Sequence, residues 1–357
     1  MKKKRFLLCI VMVLAIAFAA GCAAEPAEPP PAALSGFEPQ VVSVTIAAPS
    51  LTDNMVNEPL EKEILIYLPP GYAAGEKSYP VFYFLPGYGM DCDVFEESMT
   101  KLINAGEIRD MIVVSPPGRN NLNGSFYVNS PITGNWEDFV VKDVVNYVDE
   151  NYRTLAKAKS RGICGSSMGG FGAWNLAMLH PKVFGCAYAL SPGVFDENNV
   201  GDASNIQPDN TYFSEMTEEQ AKSAYDDICA GKSSGFFTLA YGSAFAYNPD
   251  AGIPYIDFVT QDNPEAIERW NGGFGNVSEK VKQYRKNFKK LRAFAIDFGS
   301  NDEYKWIPTG CRYFSQQLTA AGIPHELLEH DGYHADRFEE RVENYMIPFF
   351  SENLAGE

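Results

Sequence analysis

Basic residues are scarce in this sequence. The 357 residues include 29 Lys and Arg against 46 Asp and Glu, and the formal net charge is −17. Binding to nucleic acid or to an anionic membrane surface needs clustered Lys and Arg. The composition therefore excludes nucleic acid as a partner, and a neutral or weakly charged ligand fits this surface better.

Paired cysteines are also missing. The chain has seven cysteines but no C-x-x-C pair, and five of them, an odd number, lie beyond Cys22: Cys92, Cys164, Cys186, Cys229 and Cys311. This spacing indicates neither a metal site nor a full disulfide framework. The sequence therefore predicts no metal and no other cofactor.

Long hydrophobic runs are absent except at the N-terminus. Basic residues 2–5 precede an apolar run over residues 6–20, which is short for a membrane-spanning helix and typical of an export signal. The following AAGC resembles the bacterial lipobox, with Ala19 where Leu is usual. We predict a lipoprotein signal peptide over residues 1–21 and lipid attachment at Cys22. The lipid would be the only membrane contact and would tether the protein to the outer face of the cytoplasmic membrane; ordinary secretion is the alternative.

Beyond this signal the chain divides into a spacer and one large domain. Residues 22–40 are rich in Pro and Ala and predict an extended spacer. Over residues 41–357, short apolar strands such as VFYFLP and MIVVSPPG alternate with helical patterns, which predicts an α/β fold with a mostly parallel central sheet and helices on both faces. Residues 193–290 break this alternation and predict an inserted lid or cap, with decorative surface structure as the alternative.

A cluster of small residues lies where a strand pattern meets a helix pattern. The sequence GSSMG, residues 165–169, fits G-x-S-x-G with Ser167 at its centre. In a nucleophile elbow the serine takes a strained backbone conformation, and the residues two before and two after it must be small. Gly165 and Gly169 meet that need, so Ser167 is predicted as a nucleophile, with a plain tight turn as the alternative.

A serine nucleophile needs a base, and the chain has only four histidines. His180 ends the helix pattern after Ser167, too far along it to reach back. His325 and His330 belong to the strand pattern PHELLEH, where structural histidines are common. His334 lies in a loop before the last helix pattern and is predicted as the base, with His330 as the fallback.

An acid should lie between Ser167 and the histidine in the chain. In AFAIDFGSNDEY, Asp302 follows the carboxyl end of a strand pattern, where open α/β sheets carry their sites. Asp302 is therefore preferred, and Asp297 and Glu303 remain alternatives.

An oxyanion hole needs two N–H donors. Met168 follows the nucleophile and supplies one. The loop FLPGYGMD, whose glycines permit close approach, predicts the Tyr88 amide as the other; a simple glycine-rich turn is the alternative.

Six segments together resemble a known family: FLPGYG, GSFYVNSPITGNWEDF, GSSMGGFGAW, LSPGVF, DFGSND and GYHADRF. Across residues 61–350 the chain resembles the α/β-hydrolase superfamily, within it the esterases that group feruloyl esterases, S-formylglutathione hydrolase, enterochelin esterases and mycolyltransferases. The resemblance implies Ser167 as nucleophile, Asp302 as acid and His334 as base. Pro86 departs from the family, which usually has histidine before the glycine of the early loop.

The segment SFYVNSPITGNW resembles bacterial feruloyl and related carbohydrate esterases. We therefore expect a serine esterase acting through an acyl-enzyme on feruloyl or acetyl esters of plant polysaccharides such as xylan. Tyr127, Trp136 and Trp270 are candidate flat surfaces for an aromatic acyl group or a sugar, with the protein core as the alternative for each. An acyltransferase, a siderophore or other small-ester esterase, and a non-catalytic glycan-binding lipoprotein are the rival functions.

Overall fold

The computed structural model describes residues 38–202, 211–259 and 263–356. The predicted signal peptide and the lipid attachment at Cys22 lie outside these residues. Within them, no helix is long and apolar enough to cross a membrane.

The described strands follow the apolar segments of the sequence. They are β1 (Gln40–Ala47), β2 (Glu61–Leu68), β3 (Val81–Leu85), β4 (Ile112–Ser115), β5 (Asn129–Ser130), β6 (Gly134–Asn135), β7 (Arg161–Ser166), β8 (Cys186–Leu190), β9 (Ala293–Gly299) and β10 (Glu326–His330).

The helices lie between and after these strands. They are α1 (Glu96–Asn104), α2 (Trp136–Asp138), α3 (Val145–Asn151), α4 (Met168–Leu179), α5 (Thr211–Ser214), α6 (Glu218–Cys229), α7 (Phe237–Phe245), α8 (Pro264–Asn271), α9 (Val277–Phe288), α10 (Trp306–Ala320), α11 (Phe338–Arg341) and α12 (Ile347–Asn353). Two π-helical segments, Phe139–Val144 and Val342–Met346, join α2 to α3 and α11 to α12.

Eight strands form one sheet in the order β1-β2-β4-β3-β7-β8-β9-β10. The pairs β1–β2 and β2–β4 are antiparallel, and all the others are parallel. All five residues of β3 are buried, and alternate residues join two separate apolar clusters, one containing α4 and α10 and the other α1 and α12. A parallel strand covered on both faces is apolar throughout for this reason. The predicted fold class is confirmed.

The parallel strands bring their carboxyl ends to one edge of the sheet. The segment after β3 contains Tyr88, β7 leads into Ser167, and the loops after β9 and β10 contain Asp302 and His334. Because sites of open α/β sheets lie at this edge, the topology gathers four of the predicted site residues although they are far apart in sequence.

Helices α5–α9 occupy the described part of the segment between β8 and β9. Helix α9 packs against α4 and α10, so it belongs to the layer of helices beside the sheet. Helix α7 and the segment after α8 lie towards the carboxyl edge, where Phe237 and Phe274 line a pocket. The lid or cap predicted over residues 193–290 stays a prediction.

Candidate active site

Ser167 occupies a strained turn between β7 and α4. Its backbone angles are φ 57° and ψ −113°, a combination that is sterically unfavourable for any residue with a side chain. Hydrogen bonds on both sides of the residue hold it there: the Ser167 N–H donates to the Leu190 carbonyl at 2.8 Å, and the Ser167 carbonyl accepts from Phe171 at 3.0 Å and Gly193 at 3.2 Å. This is the backbone geometry of a nucleophile elbow.

Two glycines make this turn sterically possible. A Cβ added at Gly169 would lie 1.8 Å from the Leu85 carbonyl oxygen, and one added at Gly165 would lie 2.3 Å from the Gly169 oxygen. These neighbours are backbone atoms that cannot rotate away. The spacing of small residues in GSSMG therefore follows from the close approach of β3, β7 and α4.

Asp302 and His334 form a hydrogen-bonded pair. The imidazole Nδ1 lies 2.6 Å from Asp302 Oδ2, and the Tyr304 N–H donates to Asp302 Oδ1 at 2.8 Å. Asp302 is fully buried, so its carboxylate depends on these donors in place of water. With Nδ1 committed to the carboxylate, Nε2 is the nitrogen of His334 left for proton exchange.

Ser167 and His334 line the same pocket, which has a volume of about 640 Å³. None of the described residues that line the pocket carries a carboxylate, an ammonium or a guanidinium group. Its walls are mainly aromatic and aliphatic. The lining residues are Tyr88, Met90, Ser166, Ser167, Met168, Gly193, Phe237, Phe274, Tyr304, Trp306, Ile307, His334, Ala335 and Phe338.

The two predicted oxyanion donors, Tyr88 and Met168, also line this pocket. Among the residues that the structure describes, neither backbone N–H donates to a main-chain carbonyl. Met168 is the first residue of α4, where N–H groups have no partner within the helix and the helix dipole is positive. The Tyr88 loop is held by its own side chain, whose hydroxyl donates to the Leu122 carbonyl at 3.0 Å. Both amides remain available to a negatively charged oxygen.

The alternative acids do not contact the imidazole. Asp297 is buried against Arg341, whose Nε donates to Oδ1 at 3.0 Å; burial raises the pKa of its carboxyl, and the guanidinium opposes that shift. Glu303 accepts the backbone N–H of His334 at 3.0 Å. Burial tends to raise the pKa of Glu303, but this hydrogen bond leaves it below its usual value. Glu303 thus contacts only the main chain of His334, and Asp297 contacts Arg341, so neither takes the place of Asp302 beside the imidazole.

The other histidines have separate surroundings. His180 Nε2 lies 2.7 Å from Glu137, and His325 Nε2 lies 2.7 Å from the Ser315 hydroxyl. Burial lowers the pKa of His330, whose Nδ1 accepts from the Gly332 N–H at 3.1 Å. None of the three lines the pocket that contains Ser167.

The predicted substrate-binding residues are wrong. Tyr127, Trp136 and Trp270 are fully buried, and none lines the pocket. The Tyr127 hydroxyl donates to the Pro86 carbonyl at 2.8 Å, and the Trp136 and Trp270 indoles donate to the carbonyls of Thr133 and Asp257. Each polar tip is satisfied inside the protein, so the structure places these three side chains in the core.

The aromatic residues that line the pocket were not predicted from the sequence. Tyr304 and Trp306 follow Asp302 closely, and Tyr304 packs edge-on against the His334 ring with centroids 5.1 Å apart. Their position just past a predicted strand end was a usable signal. Phe237 and Phe274 lie in segments with no clear periodicity, and nothing in the local sequence distinguished them.

A lysine fixes the segment that carries Phe274. The Lys280 ammonium donates to the carbonyls of Gly272 and Gly275, each at 2.8 Å, and to that of Gly273. Three acceptors that flank one residue constrain its backbone on both sides. The backbone that carries Phe274 is therefore fixed in the pocket wall by its neighbours' contacts with Lys280.

No group of three or more His, Cys, Asp or Glu side chains within the described ranges is placed to hold a metal ion.

Comparison with known proteins links the chain to esterases. Residues 59–230 match the family model described as a putative esterase. An esterase of Mycobacterium tuberculosis is 28% identical over 288 residues, which cover 76% of this chain and 52% of that protein. An endo-1,4-beta-xylanase/feruloyl esterase of Xylanibacter ruminicola is 26% identical over 152 residues, covering 40% of this chain and 21% of the relative. The chain thus spans about half the length of the mycobacterial relative.

A solved structure supports the same fold. A ferulic acid esterase superimposes with a TM-score of 0.59 at 21% sequence identity, covering 88% of this chain and 99% of that one. The resemblance inferred from the sequence motifs is confirmed: residues 59–230, which contain Ser167, match the esterase family model.

Proposed function

We propose that this protein is a serine esterase that hydrolyses carboxylic esters through an acyl-enzyme. Ser167 is the nucleophile, His334 the general base and acid, and Asp302 the carboxylate that orients His334. One observation carries the proposal. Ser167, held in a strained turn, lines the same apolar pocket as His334, and Nδ1 of His334 is hydrogen-bonded to the buried carboxylate of Asp302.

The reaction follows from the groups in this pocket. Nε2 of His334 accepts the hydroxyl proton as Ser167 Oγ attacks the carbonyl carbon, and the N–H groups of Met168 and Tyr88 donate to the oxyanion. The Asp302 carboxylate stabilises the imidazolium that forms. His334 then gives its proton to the leaving alcohol, and an acyl group remains on Ser167. Water, deprotonated by His334, attacks this ester, and the carboxylic acid leaves as Ser167 recovers its proton.

The pocket supports a bulky, uncharged acyl group. An acetyl group would fill little of a 640 Å³ pocket, whereas an aromatic acyl group can contact its ring-lined walls. The absence of cationic side chains from the described lining gives an anionic substrate no partner. Feruloyl esters of plant polysaccharides such as xylan therefore fit this pocket better than acetyl esters do. The feruloyl esterase names of one relative and one structural neighbour agree with this choice.

The location of the protein is part of the proposal. A lipid on Cys22 with residues 22–40 as a spacer would hold the enzyme outside the cytoplasmic membrane, close to polymeric substrates. Release by ordinary cleavage of the signal would give a secreted form with the same catalytic domain.

The direct test is a substrate panel with purified protein. We expect hydrolysis of 4-nitrophenyl acetate and methyl ferulate, and release of ferulate from a feruloylated arabinoxylan fragment. Hydrolysis of acetate alone would keep the mechanism and reject the feruloyl assignment. No turnover of any ester by folded protein would contradict the proposed function.

A wall residue should separate aromatic from small substrates. Phe237 is half-buried, lines the pocket and stacks edge-on against Tyr88 with centroids 5.1 Å apart. Phe237→Ala should lower kcat/KM for methyl ferulate by roughly tenfold, since one apolar contact is worth about 1–3 kcal/mol in discrimination. The value for 4-nitrophenyl acetate should change by less than about threefold on the same scale.

The adjacent Phe236 provides the matched control. It is also half-buried but packs on Tyr212 and does not line the pocket. Phe236→Ala should leave the ratio of the two activities unchanged. Equal losses on both esters in Phe237→Ala would show that this wall does not select the acyl group.

A further inference from the structure

The main chain of His334 is fixed as firmly as its imidazole. Its N–H donates to Glu303 Oε2 at 3.0 Å. Its carbonyl oxygen accepts from the Ser191 hydroxyl at 3.1 Å and from Arg341 Nη1 at 3.4 Å. These contacts come from three different segments of the chain, so the loop that carries His334 does not depend on its own sequence alone for its position.

Arg341 is the centre of this support. Its side chain is 3% exposed, and the guanidinium spreads its donors over several acceptors. Nη2 donates to the Ser191 hydroxyl at 3.1 Å and to the Asp297 carbonyl at 3.2 Å, and Nη1 also reaches the Asp336 carbonyl at 3.5 Å. One side chain thus connects the end of β8, strand β9 and the loop after β10.

Asp297 neutralises and orients this guanidinium. Its side chain is 2% exposed, and while Oδ1 accepts from Arg341, Oδ2 accepts from the Tyr188 hydroxyl at 2.9 Å. A buried ion pair of this kind adds little net stability compared with apolar residues of the same volume. A guanidinium, however, offers a rigid planar set of donors that an apolar side chain lacks.

We propose that Arg341, held by Asp297, is a positioning residue for His334. It fixes the His334 carbonyl, and with it the place from which the imidazole contacts Asp302 and faces Ser167. The inference rests on the proposed esterase function for its kinetic consequences. Small displacements matter here, because catalytic groups must be held within about 0.5 Å of their productive geometry.

The test is Arg341→Lys, which keeps the charge opposite Asp297 but cannot reach Ser191 and the His334 carbonyl together. We expect kcat on methyl ferulate to fall roughly tenfold or more while KM stays within about twofold, as for an interaction expressed in the transition state. In proton NMR, the low-field resonance of the His334–Asp302 hydrogen bond should broaden or disappear. A purely structural role would lower the melting temperature without changing that resonance in the folded protein.

Arg337→Lys is the matched control. Arg337 belongs to the same loop, is 46% exposed and pairs with Asp331 at 2.6 Å. Its replacement should leave both kcat and the low-field resonance unchanged, because a surface ion pair of this kind contributes little.

Ser191→Ala supplies a second test that leaves the Arg341–Asp297 pair intact. It removes the hydroxyl that donates to the His334 carbonyl, and we expect the same broadening with a smaller fall in kcat. If Arg341→Lys does not fold, this variant decides. A folded variant of either kind with unchanged kcat and an unchanged resonance would overturn the proposal. Should the wild type hydrolyse no ester, the resonance still tests the positioning, so the two proposals fail separately.

Discussion

Replacing Ser167 with alanine should lower kcat on every hydrolysed ester by a factor on the order of 10⁵ to 10⁶. The substitution removes the nucleophile, while the N–H groups of Met168 and Tyr88 and the pocket remain. Those groups alone sustain at most a residual acceleration of about 10³ to 10⁴ over water. The measurement is steady-state hydrolysis of methyl ferulate by wild type and variant at matched concentration.

The melting temperature of Ser167→Ala provides the control for this result. Alanine removes one hydroxyl from a residue whose backbone hydrogen bonds to Leu190, Phe171 and Gly193 are unchanged. Its melting temperature should therefore stay within a few degrees of wild type. A folded Ser167→Ala variant that retains more than a trace of activity would mean that another residue is the nucleophile.

The second large effect is expected from Asp302→Asn, which should lower kcat about 10⁴-fold with little change in KM, the size seen when a triad aspartate becomes an amide. An asparagine can present an N–H to Nδ1, which favours the tautomer whose proton is on Nε2. That nitrogen then cannot accept the Ser167 proton. The amide also removes the negative charge that stabilises the imidazolium.

Asp297→Asn decides between the acids that the sequence left open. Because Asp297 pairs with Arg341 and is linked to the His334 loop only through it, its variant should lose stability and should lower kcat far less than Asp302→Asn does. If Asp297→Asn were the inactive variant and Asp302→Asn remained active, the assignment of the acid would be reversed.

The strands and the nucleophile were predictable because their signals are local. Strand β3 is covered on both faces, so its sequence is apolar throughout. GSSMG has glycine at the two positions, Gly165 and Gly169, where neighbouring backbone atoms leave no room for a side chain. The order Ser167, Asp302, His334 was predicted from the chain order of the catalytic residues in hydrolases with a G-x-S-x-G elbow. Asp302 and His334 lie beyond residues 59–230, the segment that matches the esterase model.

Burial and long-range partners were not readable in the same way. Trp136 and Trp270 have the chemistry of a binding surface, yet the contacts that enclose them come from other segments. The partner of the alternative acid, Asp297, was not predictable either, because Arg341 lies 44 positions after it and packs beside it only when α11 folds back on β9. The π-helical turns at Phe139–Val144 and Val342–Met346 also gave no signal in a helical periodicity.

The most direct test of Ser167 as an activated nucleophile is covalent labelling with a fluorophosphonate, followed by mass spectrometry of the digested protein. We expect one stoichiometric adduct on the peptide that contains Ser167, complete loss of labelling in Ser167→Ala, and slow labelling in Asp302→Asn. An adduct on another residue, or none on a folded protein, would contradict the assignment of Ser167 as an activated nucleophile.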